Sequence, residues 1–426
     1  ICMIILGPLF PEEREQEIIS ASKRGVSNAA NNFQWNLIKG IHANTDEPLI
    51  VINALPVGTW PKNFKTFRLK DTDWSCGNIV GHEVGCWNIP LVKQFIRMRK
   101  VRAWLKKYPR ESELLIFTAY LPFLWAVNKL KPEYRVTAVI TDIPEFYDMH
   151  QVSAFRRLLR RIHCKIVYHF MVRVDRFILL TKQMAVPLHV GNRPYLVMEG
   201  MCGDVADEPP VSKPQPFSML YTGRLNRRYG LELLLQAMKE LHDPDIELWL
   251  CGSGEMEEEI RAYAAQDSRI RFFGFLPHEE AVQLQKKATV LVNPRTNQGE
   301  YTKYSFPSKT MEYMASGRPV MMFRLDGIPG EYDPFLTYIP EESAASIRDT
   351  AESLRKLSPS ELDEIKIEMC KCAGSWTSFI RSKATHDNCT SVPADVRCDQ
   401  LGICVSVGVP VCSSAAAANA WQRNLF

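Results

Sequence analysis

Short, continuous apolar runs recur along the chain at the intervals expected of strands separated by helices. Ile1–Leu6 is the first and ends at a Gly7-Pro8 break; Leu49–Ile52, Leu114–Phe117, Val136–Ile140 and Phe177–Leu180 follow. Uninterrupted rather than alternating apolar runs belong to strands covered on both faces, as in a parallel sheet. Between the first two runs, Ala29, Ala30, Phe33, Trp35, Leu37 and Ile38 give the Ser20 to Gly40 segment the apolar side of a helix. A Pro-rich stretch from Glu208 to Pro216 interrupts the pattern, which then restarts. Phe217–Tyr221, Ile246–Leu250, Ile270–Phe273 and Thr289–Val292 read as strands, alternating with helices over Leu231–Leu241, Met256–Ala265 and Glu279–Ala288. The repeat on either side of a linker predicts an α/β protein with two Rossmann-like domains, residues 1–207 and 216–380, whose parallel sheets face each other across a cleft. Ligands of such open sheets bind at the carboxyl ends of the strands. Residues 381–426 break the alternation. With Cys389, Cys398, Cys404 and Cys412 they are expected to form a disordered tail, an oxidised four-cysteine knot being the alternative.

Composition narrows this picture only a little. A length of 426 residues exceeds one comfortable core, and 46% hydrophobic with 23% charged residues is ordinary for a globular protein. A formal charge of +4 gives no reason to expect nucleic acid as a partner. No apolar run approaches the roughly 20 residues that cross a bilayer. Ile1–Phe10 lacks a basic leader and runs into Pro11-Glu12-Glu13-Arg14, so it reads as a buried strand rather than a secretion signal. The twelve cysteines are dispersed, and Cys370-Lys371-Cys372 has no histidines at ligand spacing. A reducing, cytoplasmic location is expected.

Candidate chemistry concentrates in the second half. Gly223-Arg224-Leu225-Asn226-Arg227-Arg228-Tyr229-Gly230 joins a predicted strand to a predicted helix. Glycines there let backbone approach a ligand, and free helix-end N–H groups favour an anion. Arg224 and Arg228 are candidate diphosphate ligands, although a turn with solvated arginines would look the same. Pro307 and Gly317 bracket one helix on which Lys309 and Glu312 are three residues apart. They form either a surface ion pair or a functional couple, Lys309 toward phosphate and Glu312 toward sugar or ribose hydroxyls. Ser253 and Gly254 in Cys251-Gly252-Ser253-Gly254, and Phe275 in Gly274-Phe275-Leu276-Pro277, are looser donor-site candidates. In the first half, Asp142 follows an apolar strand and is a candidate acceptor base or a helix cap. Gly25, Ser27 and Asn28 are candidates for the acceptor side. From Arg156 to Lys165, Phe155, Leu158, Leu159 and Ile162 interleave with arginines at helical spacing. That segment suits either an anionic membrane surface or a core-facing helix with a wet basic side.

Taken together, these motifs resemble a retaining glycosyltransferase of the family-4 type, over Ile1 to Ile380 and most strongly from Phe217 to Pro319. The Phe306-Pro307-Ser308-Lys309 variant resembles a branch that builds bacterial surface polysaccharides. The resemblance implies the GT-B fold and transfer of a sugar, with anomeric retention, from a nucleoside-diphosphate sugar to a glycan or lipid-linked acceptor. It implies no cofactor beyond that co-substrate, and no metal is expected. Arg224 would contact donor phosphate and Glu312 the ribose. Three positions depart from the family pattern. Tyr229 stands where a lysine is usual, Tyr304 where the first of two paired glutamates would fall, and Asp142 where many relatives carry histidine. A nucleotide-sugar epimerase of the same fold and a non-catalytic nucleotide-sugar binder both remain open on this reading.

Overall fold

The computed structural model describes residues 3–23, 28–43, 45, 47–109, 111–130, 134–146, 154–200, 216–358 and 360–362. Gly25, Ser27 and the 381–426 tail lie outside them, as does the side chain of Asn28.

The first half supplies strands β1 (Met3–Gly7), β2 (Leu49–Asn53), β3 (Arg68–Leu69), β4 (Thr72–Cys76), β5 (Ile79–Glu83), β6 (Cys86–Trp87), β7 (Glu113–Phe117), β8 (Arg135–Ile140), β9 (Arg176–Leu179) and β10 (Tyr195–Val197). Among the described residues, eight of them form one sheet in the order β10-β9-β8-β7-β1-β2-β5-β4. Its pairs are parallel except β4 with β5, and β3 pairs with β6 as a separate antiparallel ribbon. Helices α1 (Glu15–Ala21), α2 (Asn28–His42), α3 (Val92–Leu105), α4 (Leu121–Asn128) and α5 (Ala154–Met171) cover the sheet. Strand side chains alternate in direction. Ile4, Leu6, Leu114 and Ile116 therefore pack with Val101 of α3, Phe123 of α4 and Val167 of α5. Ile5, Val51, Leu115 and Phe117 pack with Trp35 and Ile38 of α2 on the opposite face.

The second half repeats the arrangement with β11 (Phe217–Arg224), β12 (Ile246–Ser253), β13 (Ile270–Gly274), β14 (Val290–Asn293), β15 (Val320–Phe323) and β16 (Thr337–Ile339). These are ordered β13-β12-β11-β14-β15-β16, all pairs parallel. Helices α6 (Leu231–Glu240), α7 (Glu257–Gln266), α8 (His278–Lys287), α9 (Ser308–Ala315) and α10 (Ala344–Arg355) accompany them. The jump from β11 to β14 at the sheet centre makes a topological switch point, where ligands of open α/β sheets settle. The two halves meet through the loop after β14. Phe146 stacks on Tyr304 with ring centroids 5.8 Å apart, and the Thr181 hydroxyl donates to the Lys303 carbonyl at 3.0 Å.

Helix α3 carries two basic side chains into the interior. Lys93 and Arg97 are both buried. Arg97 donates to the Leu55 carbonyl at 2.8 Å and the Tyr120 hydroxyl at 2.9 Å, while Lys93 donates to the Val57 carbonyl. Burial, helped by the charge of Arg97, pushes the Lys93 ammonium down to about 7. Unfolded lysine titrates near 10.4. Between about pH 7 and 10 the unfolded chain thus binds the extra proton, and this residue makes stability rise with pH; below about 7 its penalty is present in full. Lys93→Met should flatten that rise by a few kcal/mol, since each pKa unit is worth about 1.4 kcal/mol. Urea unfolding of both proteins at several pH values checks this, and parallel stability curves would refute it.

Candidate functional site

The carboxyl ends of β11 and β12 are fused into one surface. Gly223 and Arg224 lie in register with Gly252 and Ser253, and a Cβ on Gly252 would sit 1.8 Å from the Gly223 carbonyl. Leu225 N–H donates to the Ser253 carbonyl at 3.0 Å, and Met256 N–H to the Leu225 carbonyl at 3.0 Å. Only glycine permits this approach. Gly254 sits in the same seam, where a Cβ would meet the Leu225 carbonyl at 2.5 Å, and it and Ser253 are both exposed. Gly230 opens α6 with φ +78°, and a Cβ there would meet the Pro294 carbonyl at 1.8 Å. No side chain caps α6, so its first N–H groups remain available to an anion.

Helix α9 brings a polar network beneath this turn. Thr310, Met311, Tyr313 and Met314 are buried, which holds the helix fixed and turns Lys309 and Glu312 to its wetter side. The Lys309 ammonium donates to both Glu312 oxygens, at 2.9 and 3.0 Å. Its Cε lies 3.6 Å from the place a Gly223 Cβ would occupy. Gln285, fully buried on α8, donates to Glu312 and to the Thr222 hydroxyl at 3.0 Å. The Tyr313 hydroxyl accepts from Thr222 N–H at 2.8 Å. Burial works to raise the Glu312 carboxyl, but Lys309, the Gln285 bond and the charge of His278 outweigh it and leave it below its usual range.

The other predicted residues divide into several groups. Arg224 is exposed. Arg228 folds onto Tyr229, donating to its hydroxyl at 2.9 Å. Arg227 pairs with Glu232 and Glu259. Phe275 is 69% exposed beside Gly274. Asp142 follows β8 and keeps exposed surface, yet protein surrounds it closely. That desolvation pushes its carboxyl above the usual range, against the Thr141 hydroxyl 3.1 Å away and the charge of Arg295. Tyr304 packs on Phe146, and its hydroxyl donates to Glu300 at 3.2 Å.

Sequence reading passed over Gln285, Thr222 and Tyr313, whose roles arise from contacts 27 to 91 residues apart. It also passed over Arg295, although an arginine directly after a strand end and a proline was a usable signal. The first half contains an Asp-x-Asp sequence, Asp71-Thr72-Asp73. Asp71 pairs with Lys100, and Asp73 with His82 on the sheet-edge hairpin.

Comparison with known proteins bears on the fold and its relatives. Residues 216–354 match the family described as Glycosyl transferases group 1. The amylovoran biosynthesis glycosyltransferase AmsK of Erwinia amylovora is 26% identical over 172 residues, covering 39% of this chain and 42% of AmsK. A D-inositol 3-phosphate glycosyltransferase of Corynebacterium diphtheriae is 34% identical over 122 residues, covering 26% of this chain and 27% of that protein. The matched segments span less than half the length of these relatives. Among solved structures, sucrose-phosphate synthase from Thermosynechococcus elongatus superposes with a TM-score of 0.62 at 16% identity, covering 88% of this chain and 96% of the other. The lipopolysaccharide outer core galactosyltransferase WaaB gives 0.54 at 13%, covering 88% and 100%.

Proposed function

We propose, for a chain that has the two-domain GT-B fold and is related to family-4-type and surface-polysaccharide glycosyltransferases, that it transfers a sugar from a nucleoside-diphosphate sugar to a hydroxyl of a glycan or lipid-linked acceptor, with retention at the anomeric carbon. The observation that carries this reading is the placement of Lys309, paired to Glu312, directly against the Gly223 turn, which leads to the uncapped start of α6. A leaving diphosphate gains negative charge, and a fixed ammonium with helix-end amides stabilises that charge without reorganising. Glu312, held ionised by Lys309 and Gln285, suits two ribose hydroxyls. Asp142, across the cleft at the end of β8, orients or deprotonates the acceptor hydroxyl. The test is a panel of sugar nucleotides screened for acceptor-dependent release of nucleoside diphosphate, with mass spectrometry of the acceptor. Acceptor-independent turnover would identify an epimerase, and binding without turnover a non-catalytic receptor.

The same reading places the enzyme in the cytoplasm on an anionic membrane face, where a lipid-linked acceptor would be met. No helix among the described residues is long and apolar enough to cross a membrane. Helix α5 supports surface contact instead. Its inner side is Cys164, Val167 and Met171, whereas Phe155, at 68% exposure, Leu158, Leu159, Ile162 and Ile166 face outward. Arg157, Arg161 and Lys165 are exposed beside them. Apolar side chains immersed among headgroups, flanked by cations, bind anionic lipid. The protein should float with anionic liposomes and much less with neutral ones, and Leu159→Glu with Ile162→Glu should abolish flotation. Equal recovery with both lipids would refute the contact.

A further inference from the structure

The cations around the Gly223 turn are committed to different degrees. Arg227 serves Glu232 and Glu259, Arg228 serves Tyr229, and Lys309 serves Glu312. Arg224 and Arg295 have no carboxylate among the described residues at ion-pair distance; Arg224 is exposed, whereas Arg295 is half-buried and anchored. Its Nη2 donates to the Ser305 hydroxyl at 3.0 Å, and its guanidinium lies 5.1 Å from the centre of the Tyr301 ring. Its Nε is buried and has no hydrogen-bond partner. A half-buried guanidinium held at Nη2 by Ser305, stacked on Tyr301 and neutralised by no carboxylate keeps its remaining exposed donor surface for a ligand oxygen.

Its position in the fold identifies which ligand that is. Strand β14 ends at Asn293 beside β11, at the switch point of the second sheet. The Pro294 carbonyl occupies the space left by the absent Gly230 side chain, so Arg295 emerges next to the start of α6. From the other domain, the Phe146–Tyr304 stack and the Thr181–Lys303 bond bring the segment that begins at Asp142 against the Arg295 loop.

We propose that Arg295 is a substrate-contacting residue whose guanidinium binds an anionic oxygen of the donor, between the start of α6 and the Asp142 loop. This rests on the sugar-nucleotide reading given above. Two parts of a donor carry such an oxygen: the diphosphate, or the carboxylate of a hexuronic acid. Both fit the same fork, because a guanidinium accommodates phosphate and carboxylate alike.

Calorimetry on the full chain separates them. Wild type, Arg295→Gln and Arg295→Lys are titrated with UDP, GDP and ADP, and then with the hexose and hexuronate forms of whichever binds. Loss of a charge-assisted hydrogen bond corresponds to about tenfold to a hundredfold in affinity. If the diphosphate is the contact, Arg295→Gln weakens the nucleotide and both sugar forms to that extent; if the carboxylate is, only the hexuronate weakens. Arg295→Lys should recover part of the loss at unchanged melting temperature, which a purely structural role through Ser305 would not produce. Equal affinities in wild type and both variants, or losses that merely follow a lowered melting temperature, would overturn the assignment while leaving donor binding intact. A wild-type protein that binds none of these compounds would overturn the sugar-nucleotide reading and this assignment with it.

Discussion

Lys309→Ala should lower kcat/KM for sugar transfer by about a hundredfold or more and leave the fold standing. Removing one preorganised donor from a developing oxyanion costs about 10²–10³ in rate. Here the loss is compounded, because Glu312 loses the partner that, with Gln285, offsets its burial, and its hold on the ribose should weaken too. The stability effect should be small. Both side chains keep solvent contact, at 33% and 25% exposure, and partly exposed ion pairs contribute little. Initial rates of nucleoside-diphosphate release, set beside circular-dichroism melting curves, measure the two effects together. A wild-type rate with a confirmed donor would remove Lys309 from the phosphate site.

Asp142→Asn should separate the two half-sites. Transfer is expected to fall by about 10²–10⁴, the range for losing a positioned general base. Nucleotide affinity should stay close to wild type, because the residue belongs to the opposite sheet. The pH profile carries a second signature. Desolvation raises the Asp142 carboxyl, so the ionised base accumulates only above the ordinary carboxylate range. The acid limb of kcat/KM should therefore lie higher than for an exposed aspartate and disappear in the variant. Equal loss of transfer and nucleotide binding would give Asp142 a structural role instead.

Four of the six described strands of the second sheet were legible in the sequence as mainly apolar runs bounded by turn residues, whereas β15 and β16 were not read. Phe217–Tyr221 and Ile246–Leu250 identify β11 and β12, whose last residues, Gly223 to Arg224 and Gly252 to Ser253, extend into the site. The β4–β5 hairpin was not legible in that way. Its strands carry Asp73, His82 and Glu83, and Glu83 is tolerated in the interior only because Arg14, 69 residues away, pairs with it at 2.7 Å. Lys93 and Arg97 were hidden for the same reason, since their carbonyl partners at Val57 and Leu55 come from a distant loop. Helix α5 shows a further limit. Its apolar stripe is plain in the sequence, but only the packing of Cys164, Val167 and Met171 reveals that the stripe points outward. At the site, Lys309 and Glu312 were visible as an i,i+3 pair. Gln285, which ties Glu312 to Thr222, looked like any polar residue on an amphipathic helix.

Hydrogen–deuterium exchange of the full chain, with and without a saturating nucleoside diphosphate, probes the donor cleft most directly. Protection of peptides covering 223–231 and 308–313, joined by the peptide containing Arg295 if that residue holds the diphosphate, and lost in Lys309→Ala, is the predicted result. Undiminished exchange in both segments, with the nucleotide demonstrably bound elsewhere, would contradict it.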